Sequence, residues 1–451
     1  MLLLEIRQQS LKIYNLTDGV TDIIHMNIKQ RIQSPLLKGI LYMGMGTIIA
    51  QMINVLIQPI LTRIVPADTL GIYTYVVSMA NIVIPISSLK LEMLIVSEEN
   101  DNEAQYITDL CKYIVFITSI LFLIVLLLGY NIPMFTVFNK YGAIVFLAPL
   151  LALTNGLRFL FISYNNRYKN YKLITGVAII REAVRAIIQV VSGLLTFGVF
   201  GQLLGYAFSP IIGLKIQAKE YLSQKKNRNK ITYLKAKNIL NKGKGQILYL
   251  VPGQFINSFS ASFVTISITA LFSATVLGHY STGVRLLDIP ILFITSNVNK
   301  VCYQRFSEDV INKRPLRKTL FSLIFVLCII SFSGFGILFL VAPRLSDFIF
   351  GDGYYIAGVY IKHLCVMYAV RLVATSFNGI FTIFKKQKYE LILNIALIAV
   401  AILAYVLAVM FKMSIIGYLN VICIGYTAVY CCLLIGYCMI CLSYDKSLCS
   451  K

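Results

Sequence analysis

The chain contains no tryptophan and only three histidines, His25, His279 and His363, too dispersed to suggest the clustered ligands of a metal centre. Charge is scarce as well. Asp, Glu, Lys and Arg make up 13% of the 451 residues, about half the share found in a soluble domain, which excludes an ordinary soluble protein. There is no Gly-rich phosphate loop, so the chain carries no nucleotide-hydrolysing motor of its own. The ten cysteines are scattered, mostly through apolar runs. The "CMIC" of Cys438 to Cys441 ends such a run, where two small packed side chains are expected rather than a redox or zinc pair. The opening "MLLLEIRQQS" has too short an apolar core for a signal peptide.

Hydrophobic residues, by contrast, form 58% of the chain. A membrane-spanning helix needs about 20 mostly apolar residues, and such runs recur along almost the whole sequence. Hydrophobic windows between polar breaks predict twelve spans: 38–60, 70–96, 111–130, 142–163, 173–192, 194–214, 246–271, 286–304, 319–342, 355–382, 390–411 and 414–442. The expected fold is an all-α polytopic membrane protein.

The 41 basic residues set its orientation. With the N-terminus inside, cytoplasmic segments hold 29 Lys and Arg, external loops hold five (Arg63, Lys140, Arg285, Arg344, Lys412), and seven lie within spans. Such a bias predicts that both termini are cytoplasmic. Net charge is +22, and its densest block, residues 215–245, is expected to rest on anionic headgroups rather than on nucleic acid. That block divides the chain into bundles of six spans, 37–214 and 246–443, flanked by a cytoplasmic extension 1–36 (with Met26 as an alternative start) and a tail 444–451. A shift of 207 residues aligns "ILYMGMG" with "ILYLVPG" and "LGIY" with "LGHY" without a gap between Ile40 and Tyr73. This predicts parallel six-helix repeats, an architecture that places a substrate site between the halves.

Polar residues inside the spans mark that site. A charge at the bilayer centre costs roughly 2.5–3.5 kcal/mol on insertion scales. Arg181, Arg185 and Arg371 are too deep to snorkel to the headgroups, so a wet, protein-lined cavity is their expected environment. Arg158, Lys90 and Lys300 lie nearer the cytoplasmic ends. Helical spacing puts Gln189 and Ser192 on the Arg181–Arg185 stripe, and Thr375 and Asn378 on that of Arg371. Gln51 and Asn54 form a stripe on the first span, as do Gln254 and Asn257 on the seventh. Glu182 is placed to pair with Arg185; Glu182 and Asp288 are the carboxylates available for ion coupling.

The stretch "QPILTRIVPADTLGIYTYVVSMANIVIPISSLKLEMLIV", with "LTR" at Arg63, "LGIY" at Gly71 and "LKLE" at Lys90, resembles bacterial O-antigen and capsule repeat-unit flippases. These form the polysaccharide-transport branch of the multidrug/oligosaccharidyl-lipid/polysaccharide exporter superfamily. "NNRYKNYK" around Arg167 and "FGDGYYIAG" around Gly351 fit the same pattern. The chain departs from it in having Lys90 where members often carry arginine, and no tryptophan near Tyr354. The resemblance implies two six-helix bundles in a V-shaped, alternating-access arrangement. The implied substrate is a polyprenyl-diphosphate-linked oligosaccharide moved from the cytoplasmic to the outer leaflet.

On that reading Arg181, Arg185, Arg371, Arg63, Lys90, Arg158 and Lys300 compensate the diphosphate, while Gln51, Asn54, Gln254, Asn257 and Asn378 bond sugars. Membrane lipids, a polymerase and a chain-length regulator are the partners implied, with proton or sodium as coupling ion and no cofactor or metal. A drug exporter of the same superfamily would need acidic cavity residues, and a membrane polymerase or glycosyltransferase a long external loop or a clustered catalytic set. The predicted lumen is rich in arginine and poor in acid, and neither a long external loop nor a clustered catalytic set is present.

Overall fold

The computed structural model of the chain describes residues 35–130, 141–224, 232–384 and 386–449. Nearly all of the N-terminal extension and the middle of the basic linker, Lys226 included, lie outside the described residues.

Every element among the described residues is helical, as hydrocarbon demands of a chain that must satisfy each backbone N–H and C=O internally. Among the described residues twelve long helices follow in order. The first six are α1 (Pro35–Leu56), α2 (Ala67–Val83), α3 (Asp101–Tyr130), α4 (Ala148–Arg167), α5 (Tyr171–Leu194) and α6 (Gly198–Gln217). The second six are α7 (Val251–Leu271), α8 (Ala274–Ile311), α9 (Arg317–Phe350), α10 (Tyr355–Thr375), α11 (Gln387–Met410) and α12 (Ile415–Cys449). Ten of them are long and apolar enough to cross a membrane. The two that are not, α5 and α8, carry most of the charges singled out above.

Breaks in the helices have local causes. α1 continues after a kink as Gln58–Ile64. Beyond α2, Pro85 sits in a 3-10 turn, and Leu89 and Lys90 then take left-handed φ of 54° and 60° before helix resumes at Glu92. Two such non-glycine residues in a row are strained. The buried Ser88 hydroxyl, which donates to the Glu92 carboxylate, helps to hold the turn. A π-helical turn, Gln246–Leu250, leads into the "VPG" that opens α7. The span expected at 355–382 is interrupted at Ser376–Asn378.

The largest difference from expectation concerns α8. Its span was placed at 286, with Arg285 in an external loop. Instead the helix starts at Ala274, where the Ser273 hydroxyl accepts a hydrogen bond from the Val276 amide (3.2 Å). These early turns pack against α2, and a helix covered by protein need not be apolar all round. Arg344, also assigned to an external loop, lies in the last turns of α9.

Packing repeats along the chain. In the first half α1 packs on α5, α2 on α4, α3 on α4, α4 on α6 and α5 on α6; six helices further on, α7 packs on α11, α8 on α10, α9 on α10, α10 on α12 and α11 on α12. The halves meet chiefly where α2 crosses α8 and α7. At that crossing Gly71 lies against the Ala274 carbonyl and Gly278 against the Ala67 carbonyl. The Thr74 hydroxyl donates to that of Ser281 (3.2 Å), a partner 207 residues away.

The linker belongs to the first half. Its helix Tyr233–Lys242 buries Ile239 in a cluster with Leu91 and Leu94. Lys235 lies over the Tyr106 ring (3.8 Å), and Lys242 pairs with Glu98. That ammonium holds the Glu98 carboxyl below its ordinary range.

Candidate functional site

One turn of α5 presents Arg181, Glu182 and Arg185. Glu182 is buried, and each of its oxygens takes one guanidinium: Arg181 on Oε1 and Arg185 on Oε2. Spacing alone had suggested the Arg185 pair only. From α4, Arg158 joins them, close enough to Arg181 and Arg185 to feel their charge, with its guanidinium over the Phe159 ring (4.2 Å). Two guanidiniums thus share one carboxylate, with a third nearby. The Nε atoms of Arg158 and Arg181 are buried with no hydrogen-bond partner among the described residues. A buried donor left unpaired costs about 1–3 kcal/mol; Glu182 Oε2 in the same cluster also makes no hydrogen bond beyond its ion pair with Arg185 among the described residues. The stripe continues as expected to Gln189, which lines the same cavity as Arg185 and also bonds α6, whereas Ser192 turns toward α6. There Gln202 Nε2 donates to Gln189 O (3.0 Å), and Gln189 Nε2 donates to Gln202 O (3.3 Å).

Arg285 is the residue that sequence reasoning missed. It reaches from α8 across to the first half and donates to Gln58 Oε1, while Gln58 Nε2 donates to Asn54 O (3.1 Å). Arg285 lines three adjoining cavities. One, of about 250 Å³, lies in the first half with Arg185, Asn54 and Tyr206. A second, of about 320 Å³, holds Gln51 and Asn54. The third, of about 380 Å³, opens into the second half and reaches Asn257, Asp288 and Arg371. The signal was available: the 207-residue shift aligns Arg285 with Ser78, inside the second span.

In the second half Arg371 is neutralised. Its Nη1 lies 3.4 Å from Asp288 Oδ1 across the α8–α10 interface, and its guanidinium sits over the Tyr368 ring (5.1 Å). The other expected residues are dispersed. Gln254 bonds Ser258 on its own helix (3.3 Å), and Asn378 accepts from the Tyr437 hydroxyl (2.6 Å). Lys300 is exposed on α8, and Lys90 stands in the strained turn. Arg63 lies at the far end of the bundle, where it donates to Phe348 O (3.0 Å). Both acidic candidates, Glu182 and Asp288, are ion-paired with arginine.

Comparison with known proteins gives this arrangement a context. A family model described as polysaccharide biosynthesis protein matches residues 60–358. The chain belongs to that family. A membrane protein in the cps region of Klebsiella pneumoniae is 21% identical over 288 residues, covering 61% of this chain and 56% of that protein, so the chain spans little more than half the length of its curated relative. Among solved structures, the inward closed conformation of the lipid II flippase MurJ superposes with a TM-score of 0.69 at 12% identity, covering 91% of this chain and 90% of that one. An inward-facing multidrug resistance MATE transporter of the MOP superfamily gives 0.55 at 15% identity, covering 90% and 99%. The fold is that of MOP-superfamily transporters, and this family member is a multi-pass membrane protein.

The stretches that carried the family resemblance prove to be structural clamps. Arg63 of "LTR" grips the turn of "FGDGYY" by bonding Phe348 O and covering Gly351, whose φ of 95° suits glycine. Tyr354 of the same turn meets His279 edge-on, ring centroids 5.0 Å apart. Arg167 of "NNRYKNYK" ties α4 to the turn before α3, donating to Asp101 Oδ1 (2.8 Å), Glu99 O (3.0 Å) and Ile95 O (3.2 Å).

Proposed function

We propose that this protein is a flippase for polyprenyl-diphosphate-linked oligosaccharide repeat units, carrying them from the cytoplasmic to the outer leaflet of the inner membrane for O-antigen, capsule or exopolysaccharide assembly. The observation that carries this reading is the surplus of guanidinium over carboxylate around the cavities where Arg285 meets the first half. A lipid diphosphate brings about two negative charges, and charge-assisted bonds from arginine to phosphate oxygens are the strong, bidentate kind. With twelve spans and both termini inside, the Arg63 clasp and the α2–α8 crossing would lie at the outer end, so the halves would be joined outside and open toward the cytoplasm. The lipid tail would remain in the bilayer.

A cationic drug is a poorer fit, because each cavity carboxylate is already matched by arginine. Proton or sodium exchange at Glu182 or Asp288 would first have to break such a pair. Membrane potential offers another drive: each charge crossing the field is worth about 2.3 kcal/mol per 100 mV, and a negative cytoplasm favours outward movement of the diphosphate.

Deleting the gene should make lipid-linked glycan accumulate on the cytoplasmic leaflet and deplete surface glycan. Wild type should restore export, and Arg285→Glu or Arg185→Glu present at wild-type level in the membrane should not. Normal surface glycan in either variant would sink the reading.

A further inference from the structure

We infer that the second-half cavity is a carbohydrate subsite that holds the sugars next to the diphosphate, while the first half and Arg285 hold the diphosphate itself. The inference rests on the flippase reading and assigns the two ends of that substrate to different halves.

Three observations carry it. The first is charge. Around Glu182, two guanidiniums share one carboxylate with a third nearby, whereas Arg371 and Asp288 match one to one, and the Tyr368 face shields the Arg371 guanidinium further. A cavity walled by a neutralised pair attracts an anion weakly and suits an uncharged, hydroxyl-rich ligand. The second is the lining. Four tyrosines, Tyr280, Tyr368, Tyr426 and Tyr430, surround a space of about 380 Å³ together with Ser260 and Asn257, within the ~300–1,000 Å³ range of ligand pockets. Tyr426 and Tyr430 stand at right angles, centroids 6.4 Å apart, so the wall they form presents both a ring face and a ring edge. A pyranose has an apolar C–H face and a rim of hydroxyls. Tyrosine offers an apolar ring and a polar tip to match them.

The third observation is continuity. Arg285 lines this cavity and the cationic one in the first half. The first sugar is bonded directly to the diphosphate, so its subsite must begin where the diphosphate site ends. Arg285 stands at that junction.

The test uses purified full-length protein in detergent and three probes: inorganic pyrophosphate, undecaprenyl diphosphate, and the lipid-linked glycan isolated from cells lacking the protein. Wild type should bind the glycan lipid at least tenfold more tightly than undecaprenyl diphosphate. Tyr426→Ala should erase that difference while leaving pyrophosphate binding within twofold, and Arg285→Gln should weaken all three. Tyr426→Phe, which keeps the ring and removes only the hydroxyl, guards against misfolding and should lose a smaller part of the glycan increment; thermal melting confirms that each variant is folded. If wild type binds the two diphosphates but gains nothing from the sugars, the subsite is refuted and the flippase reading stands. The subsite is refuted in the same way if folded Tyr426→Ala and Tyr426→Phe both keep the full increment, or if Tyr426→Ala loses pyrophosphate and glycan together. If wild type binds none of the probes, the flippase reading fails and the subsite falls with it.

Discussion

The two halves of this protein share a packing scheme and differ in charge. α5 of the first half holds a buried Glu182 between two half-buried arginines with a third nearby; the second half holds Arg371 and Asp288 as a single, more exposed pair at 3.4 Å. The α2–α8 crossing is reciprocal, with Gly71 against Ala274 and Gly278 against Ala67, whereas nothing described in the second half repeats the arginine cluster. Backbone contacts can thus be common to the halves while the chemistry within them diverges, because packing depends on side-chain size and a binding site on charge.

Removing the carboxylates should expose this difference most strongly. The Glu182 side chain is 7% exposed and screens two direct arginine partners, so Glu182→Ala should destabilise by about 3–5 kcal/mol, as loss of a buried counter-charge does. The Asp288 side chain is 36% exposed, and Asp288→Ala should cost no more than about 1 kcal/mol. Thermal unfolding in detergent compares the two; equal losses would show that the halves carry the same electrostatic load.

Glycine substitutions sharpen the same contrast through sterics. A side chain at Gly71 or at Gly278 meets backbone carbonyl that cannot step aside. Gly71→Val and Gly278→Val should each cost roughly 1–3 kcal/mol, by similar amounts. The aligned pair Gly46 and Gly253 should behave unequally: Gly46 is pressed by the Thr175 side chain, while a Cβ on Gly253 would meet nothing closer than Leu391 at 3.9 Å. Transport and melting measured on all four variants would show whether the halves are alike only at their crossing.

Anion binding is the next measure. Arg185→Gln should weaken inorganic pyrophosphate about tenfold, the loss of about 1.4 kcal/mol that one charge-assisted bond can supply. Arg371→Gln should change it by less than twofold. A larger effect at Arg371 would place the anion in the second half.

The smallest effect is expected at the linker, which only the first half holds. Lys242→Ala should lower stability by less than about 1 kcal/mol, since the Lys242 side chain is 57% exposed. Glu98 has a depressed carboxyl pKa, so its contribution is complete above the unfolded value of about 4.3 and disappears as pH falls through the folded one. Wild type and Lys242→Ala should therefore differ in protease release of the linker at neutral pH and converge in acid. A difference that persists in acid would mean that Ile239 packing, not the ion pair, holds the helix.

By itself the sequence determined the class of fold, nearly all of the helices and the presence of buried arginine. These follow from hydropathy, which needs only a window of neighbouring residues, and from the cost of charge in hydrocarbon, which makes Arg181, Arg185 and Arg371 conspicuous wherever they point. It also contained the 207-residue offset, which reappears as the Thr74–Ser281 contact. Tertiary structure decided the rest. Which arginines come together depends on α4, α5 and α8 converging, and no local pattern encodes that convergence. Arg285 escaped because its helix is covered by α2 rather than by lipid, so its early turns could be polar and read as loop. Gln189 lines the cavity with Arg185 as its stripe implies, but Asn378 turns to Tyr437 instead, because a stripe's spacing tells which residues share a face and leaves open which neighbour that face meets. The pairing of Arg371 with Asp288, 83 residues apart in sequence, likewise had to await the packing of α8 on α10.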